Sequence, residues 1–192
     1  MKTNSLRTTI DAYRQSSDET LLQNFKMVFN GKESYEEAFD QNYWSRKELI
    51  YVLYDNYTAN DKPLIKWLLQ EEMKGFEYNI PVYTLDICAF MLYKHLDLKK
   101  DLYDLFEAKF ATGTDARVQV DIELLFGFDK EETKNFLENY PKNKRQNKRI
   151  LKAIVFYEAN PNAKFKNRIE YINYFETKKI LRIKNELSDM QS

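Results

Sequence analysis

Signals that start and stop helices recur from one end of the chain to the other, and this punctuation constrains the fold more than any other feature. Asp18 precedes Leu21, Leu22, Phe25, Val28 and Phe29 at helical spacing, with Gly31 as the stop. Ser34-Tyr-Glu-Glu37 and Ser45-Arg-Lys-Glu48 both match the capping box, in which the Ser oxygen and the Glu carboxylate each accept a backbone amide proton. Asp61-Lys-Pro63 puts proline in a first turn, where no amide donor is needed, and Leu64, Ile65, Trp67, Leu68 and Leu69 continue to Gly75. Val82 to Tyr93 is apolar nearly all round apart from Thr84 and Asp86, the pattern of a helix buried on most sides. Asp97 heads a run through Leu98, Leu102, Leu105, Phe106 and Phe110 to Gly113, and Asp129-Lys-Glu-Glu132 opens a short helix carrying Phe136 and Leu137. Helices over about 143–158 and after Pro161 complete the set. Phe165, Ile169, Ile172, Ile180, Ile183 and Leu187 are the core candidates of the last part.

One segment departs from this pattern. Arg117-Val-Gln-Val-Asp-Ile-Glu-Leu alternates with period two, a strand signal, but a lone strand has no partner and the segment reads as helix. Only 4 Gly and 4 Pro occur in 192 residues, so turns are few, and 43% hydrophobic residues are enough for a core. The expectation is an all-α protein of about eight to eleven short helices. Residues 1–192 form one domain, with 142–192 a basic helical segment packed on it.

Apolar helices cored on Ile50-Tyr-Val-Leu-Tyr, Leu85-Asp-Ile-Cys-Ala-Phe and Val120-Asp-Ile-Glu-Leu-Leu begin 35 residues apart, and Leu151-Lys-Ala-Ile-Val-Phe follows 31 later. Partner helices around Trp67, Phe106 and Phe136 lie between them. Over about 45–160 the chain resembles the α-solenoid class, the tetratricopeptide and HEAT-type arrays of helical hairpins. The likeness lies in period and pattern, and the fixed Trp, Leu-Gly, Tyr, Ala and Pro of the tetratricopeptide signature are not matched. It implies hairpins stacked in a short right-handed solenoid with divergent end units. The alternative is an irregular helical bundle.

Chemistry-bearing motifs are missing. There is no Gly-x-Gly-x-x-Gly, P-loop, Gly-x-Ser-x-Gly, His-Glu-x-x-His or Cys-x-x-Cys, and with one His and one Cys the usual zinc sites are out of reach. No cofactor or metal and no catalytic residue is expected. His95 reads as a partly charged residue at a helix C-terminus, and Cys88 as a small core residue. The clustered carboxylates Asp101, Asp104 and Glu107 read as a solvated helix face. Asp86 is more unusual: the 35-residue register aligns it with Asp121, next to Glu123, and one unit earlier with Tyr51. In a solenoid such positions form a polar ladder that could bind a partner. They also have a local explanation, since Asp86 lies in a first turn and Asp121 follows Arg117 by one turn.

The charge is uneven. Residues 1–140 carry 17 basic and 25 acidic side chains, whereas 141–192 carry 13 basic and 5 acidic ones. Lys144, Lys148 and Lys152 at i, i+4 and i+8, flanked by Arg145 and Arg149, form a cationic stripe that could neutralise phosphates or another anion. The acidic segment could instead repel nucleic acid or dock the tail. Glu158, Glu170 and Glu176 interrupt the basic region, and no run approaches a membrane span, so no membrane role is expected. The N-terminus carries Arg7, Asp11 and Arg14 in place of a leader's apolar stretch, and the single Cys suits a reducing compartment, so the cytoplasm is expected. The first functional reading is a non-catalytic module, adaptor or immunity-like, that binds another protein along a groove. A nucleic-acid binder using the basic helices is the alternative, and an enzyme has only the carboxylate clusters behind it.

Overall fold

The computed structural model describes residues 3–32, 39–75, 81–110 and 114–191. The protein is all-α. Among the described residues there is no strand beyond one isolated bridge between Phe29 and Asp40. The helices are α1 (Thr3–Ser16), α2 (Tyr43–Tyr54), α3 (Lys62–Lys74), α4 (Tyr83–Lys94), α5 (Leu98–Phe110), α6 (Thr114–Gln119), α7 (Lys130–Asn139), α8 (Lys144–Glu158), α9 (Arg168–Tyr174) and α10 (Ile180–Gln191). A π-helical turn, Phe175–Lys179, joins α9 to α10 without a break.

Local signals placed several elements. Asp61 and Pro63 start α3, and Asp129 caps α7 by accepting from the amides of Glu131 and Glu132. Every residue from Thr84 to Tyr93 is buried, and α4 packs on α2, α3, α5, α6, the 3₁₀ turn Ile122–Phe126 and α10. It is the central helix of a bundle. A solenoid unit touches only its neighbours in sequence, whereas α10 returns to α4 from the other end of the chain.

Three local expectations are corrected. The helix read over 21–29 is a 3₁₀ turn, Glu19–Phe25, capped by Asp18. It stops early because the amides of Met27 and Val28 donate to the distant carboxylates of Glu71 and Asp40, 2.8 and 3.0 Å away. Ser45 does not cap α2, which starts two residues earlier behind Asn42. The alternating segment is α6, then an extended Asp121, then the 3₁₀ turn Ile122–Phe126, so the third unit of the 35-residue spacing has no long helix. The box at Ser34–Glu37 and the stop at Gly113 lie outside the described residues.

The core runs from Leu6 to Leu187 and includes Ile180 and Ile183. Ile169, by contrast, is 81% exposed, because Tyr171 and Phe175 form the inward face of this helix. Phe90 stacks flat on Phe175 with ring centroids 3.8 Å apart. Val155 and Phe156 are also outside the core, 51% and 74% exposed.

Candidate functional site

Asp86, Asp121 and Lys179 meet at one point inside the bundle. The wide π-helical turn carries Lys179 Nζ to within 2.7 Å of Asp86 Oδ2 and 2.6 Å of Asp121 Oδ2. Gln119 Nε2 also donates to Asp86, at 3.0 Å, and the Tyr171 hydroxyl donates to Asp121, at 3.0 Å. Asp86 is wholly buried, so the expected ladder is not an accessible surface. It is an internal ion-pair network between α4, the end of α6 and the last helix. Burial pushes the Asp86 carboxyl up to about 6 in spite of Lys179, and the two carboxylates raise the Lys179 ammonium. Tyr51 lies elsewhere, its ring under the ammonium groups of Lys47 and Lys184 at 5.4 and 5.2 Å. Burial raises its hydroxyl to about 12. Glu123 is buried beside Lys166, accepting from its amide at 3.4 Å.

A second lysine completes the interior. Lys109 Nζ donates to the carbonyls of Arg117 and Val120, and Lys179 Nζ to that of Gln119 at 2.6 Å. Two ammonium groups thus cap the carbonyls at the C-terminus of α6, which ends the helix where the sequence alternates. Burial lowers Lys109 to about 8. A third buried charge, Arg46, joins α2 to its surroundings through Glu72 and Asp40, both at 2.6 Å, and the Phe25 carbonyl at 3.2 Å. Nothing in the capping-box spacing around it signals this.

His95 does close α4, but burial and the nearby Lys94 and Lys62 lower its pKa, so the expected partial charge is disfavoured. Cys88 is buried, and burial pushes its thiol well up. Asp101 is also buried, held low by Lys62 and Lys66 against the cost of burial, which removes it from the solvated face expected for it. No group of three or more metal-ligating side chains occurs among the described residues, and none of their helices is long and apolar enough to cross a membrane.

Some cations after residue 165 turn inward or pair, Lys166 with Glu123 at 3.8 Å, Lys179 as above and Lys184 with Asp55 at 3.8 Å, whereas Lys178 is exposed with no ion pair among the described residues. The cations of α8 do not turn inward. Asn147, Ile150 and Ile154 bury one stripe, and the opposite face presents Lys144, Arg145, Lys148, Arg149 and Lys152, all exposed. None of these five forms an ion pair among the described residues; Arg149 rests on the Phe106 ring at 5.3 Å. Asn147 fixes the entry to α8 by donating to the carbonyls of Tyr140 and Lys142 and accepting from the Tyr103 hydroxyl at 2.9 Å.

Beside this face runs a groove between α7 and α8. Leu137, Tyr140 and Leu151 contribute its apolar surface, with Glu131 and Glu138 on the α7 side and Lys144 and Lys148 on the α8 side. A separate cavity of about 240 Å³ is formed where the turn after Phe126 meets the start of α9, with Tyr93, Phe126, Phe128, Phe165, Lys130 and Arg168 among its lining. The sequence reading missed this cavity, although Phe126-Gly-Phe-Asp-Lys130 and Phe165-Lys-Asn-Arg168 pair aromatics with cations in two short runs.

No protein-family model matches the chain, and neither does any curated protein or solved structure.

Proposed function

We propose that this is a non-catalytic, cytoplasmic binding module whose α8 face and adjoining α7–α8 groove hold a segment of another protein rich in acidic and apolar side chains. The observation that carries the proposal is the clustering of five exposed cations on one face of one helix, none of them in an ion pair among the described residues. Desolvated charge needs compensation, and a solvated cationic stripe is available to a partner's carboxylates. The exposed Val155 and Phe156 continue the stripe with apolar area, the composition of an interface centre.

The mixed charge of the groove supports a polypeptide over nucleic acid. Glu138 lies across the groove from Lys144 and Lys148, and further along the α7 wall Glu131 is paired with Lys134 at 2.7 Å, so charges of both signs line the groove and a uniform polyanion does not match them. A polypeptide can alternate its charges. The reading is also non-enzymatic because Asp86, Lys109 and Lys179, the groups with the most unusual surroundings, line none of the cavities described above.

The experiment places a photoreactive phenylalanine analogue at position 156 and, in a second protein, at position 118, which is at least as exposed. Both are irradiated in native lysate. The expected result is a nuclease-resistant protein adduct at 156 that is absent at 118 and is lost when Lys144 and Lys148 are both changed to Glu. Adducts only to nucleic acid, or the same adducts from both positions, would overturn the proposal.

A further inference from the structure

The cavity between Gly127 and α9 is built around an arginine that lacks the compensation given to its neighbours. Arg168 Nη2 donates to the carbonyls of Tyr93 and Lys94 at 3.0 and 3.1 Å, closing the C-terminus of α4. The guanidinium lies over the rings of Tyr93 and Phe128, with its carbon 4.4 and 4.8 Å from their centroids. Its other terminal nitrogen, Nη1, is buried and meets no acceptor among the described residues.

The other charges of the cavity are accounted for. Lys130 Nζ is 2.7 Å from Glu158, and Lys166 Nζ is 3.8 Å from Glu123 and 4.4 Å from the Tyr174 ring centroid. Asp129 spends its Oδ1 on two amides of α7. Arg168 has no carboxylate within ion-pair distance among the described residues. A buried cationic donor without an acceptor is costly, and an anion that reached Nη1 would remove that cost.

We propose that this cavity binds a small aryl carboxylate, the carboxylate on Arg168 and the ring among the aromatic walls. One uncompensated cation calls for one negative charge. The walls call for a flat apolar body, since Phe126 and Phe165 already meet edge to face at 5.2 Å and Phe128 is half-exposed over the guanidinium. At about 240 Å³ the space is below the roughly 300–1,000 Å³ usual for drug-sized ligands, which sets the scale at a single ring. Phe128, half-exposed and with its ring over the guanidinium, is the wall that would have to turn outward for a carboxylate to reach Nη1. This site is separate from the α8 face, so it stands or falls independently of the partner-binding reading.

Benzoate is the probe, titrated into the full-length protein and followed through backbone amide resonances, with benzamide and inorganic phosphate as comparators. Saturable shifts at Asn167, Arg168 and Phe128 are expected with benzoate. Benzamide and phosphate should each bind at least tenfold more weakly, and Arg168→Gln should lose at least tenfold in benzoate affinity. Because that substitution also removes the α4 closure, the comparison of benzoate with benzamide on the unaltered chain decides the charge requirement by itself. Absence of saturable shifts up to about 10 mM, equal binding of benzamide or phosphate, or shifts confined to α8 would overturn the assignment.

Discussion

Lys179 is the residue on which the interior depends. It is 2% exposed and is the cation that Asp86 and Asp121 share. Lys179→Met would leave the wholly buried Asp86 without a cation, and removing one partner of a buried pair costs about 3–5 kcal/mol. The sign with pH follows from the carboxyl. Its folded pKa, already raised to about 6, would rise further without Lys179, so the charged form is penalised above that value and relieved below it. Urea denaturation should therefore show a larger deficit for Lys179→Met, relative to the unaltered chain, at pH 7.5 than at pH 5. An equal deficit at both would mean that Asp86 carries no buried charge. Lys109 behaves in the opposite range. With a folded pKa near 8 against an ordinary value of about 10.4, the unfolded chain binds more protons between those values, so stability rises with pH over about 8 to 10. Above 10 the buried tyrosines, Tyr43 and Tyr171 among them, reverse the trend because burial raises their hydroxyls. Lys109→Met should abolish the rise between pH 8 and 10, as read from urea midpoints.

At the level of elements, what could be read from the sequence depended on whether a helix end was fixed locally. Asp129 needed only the amides of Glu131 and Glu132, and Pro63 only its own missing donor in the first turn of α3, so α7 and α3 start where the sequence marks them. The nearly all-apolar run of α4 needed no cap at all to be recognised as buried on most sides. Failures occur where a distant side chain takes a backbone group. Glu71 and Asp40 take the amides of Met27 and Val28, and Lys109 and Lys179 take the carbonyls after Ala116. No short window holds such information. The cationic stripe of α8 was legible as spacing, and its exposure was not. The Asp86–Asp121 register was real as proximity, but the inference of a surface failed because Lys179, 58 residues beyond Asp121 in sequence, closes over it. Gly127 tests the element that bears both the 3₁₀ turn and the cavity. A Cβ there would lie 2.3 Å from Thr133 Oγ1 and 2.8 Å from a Leu98 methyl, at a positive φ. Gly127→Ala should lower stability by about 2 kcal/mol or more, measured as a fall in Tm, while Thr133 loses its 2.9 Å bond to the Phe126 carbonyl.

Across the whole molecule, the formal charge of zero conceals a spatial division. Part of the basic C-terminal segment returns to the acidic part of the chain through Lys166, Lys179 and Lys184, whereas five of its cations are gathered on one solvent-facing side of α8. Charges that hold the molecule together and charges that, in the proposed function, meet a partner are carried by different helices of one segment. Substituting the second set should leave the fold untouched. Lys144→Glu, Lys148→Glu and Lys152→Glu combined should change stability by no more than about 0.5 kcal/mol per site, seen as a nearly constant Tm. The most direct measurement is a quantitative capture from nuclease-treated native lysate, comparing the unaltered protein with this triple variant. The account predicts one protein partner whose recovery falls at least tenfold in the variant while Tm is held. Equal recovery from both, or capture that disappears with nuclease alone, would contradict it.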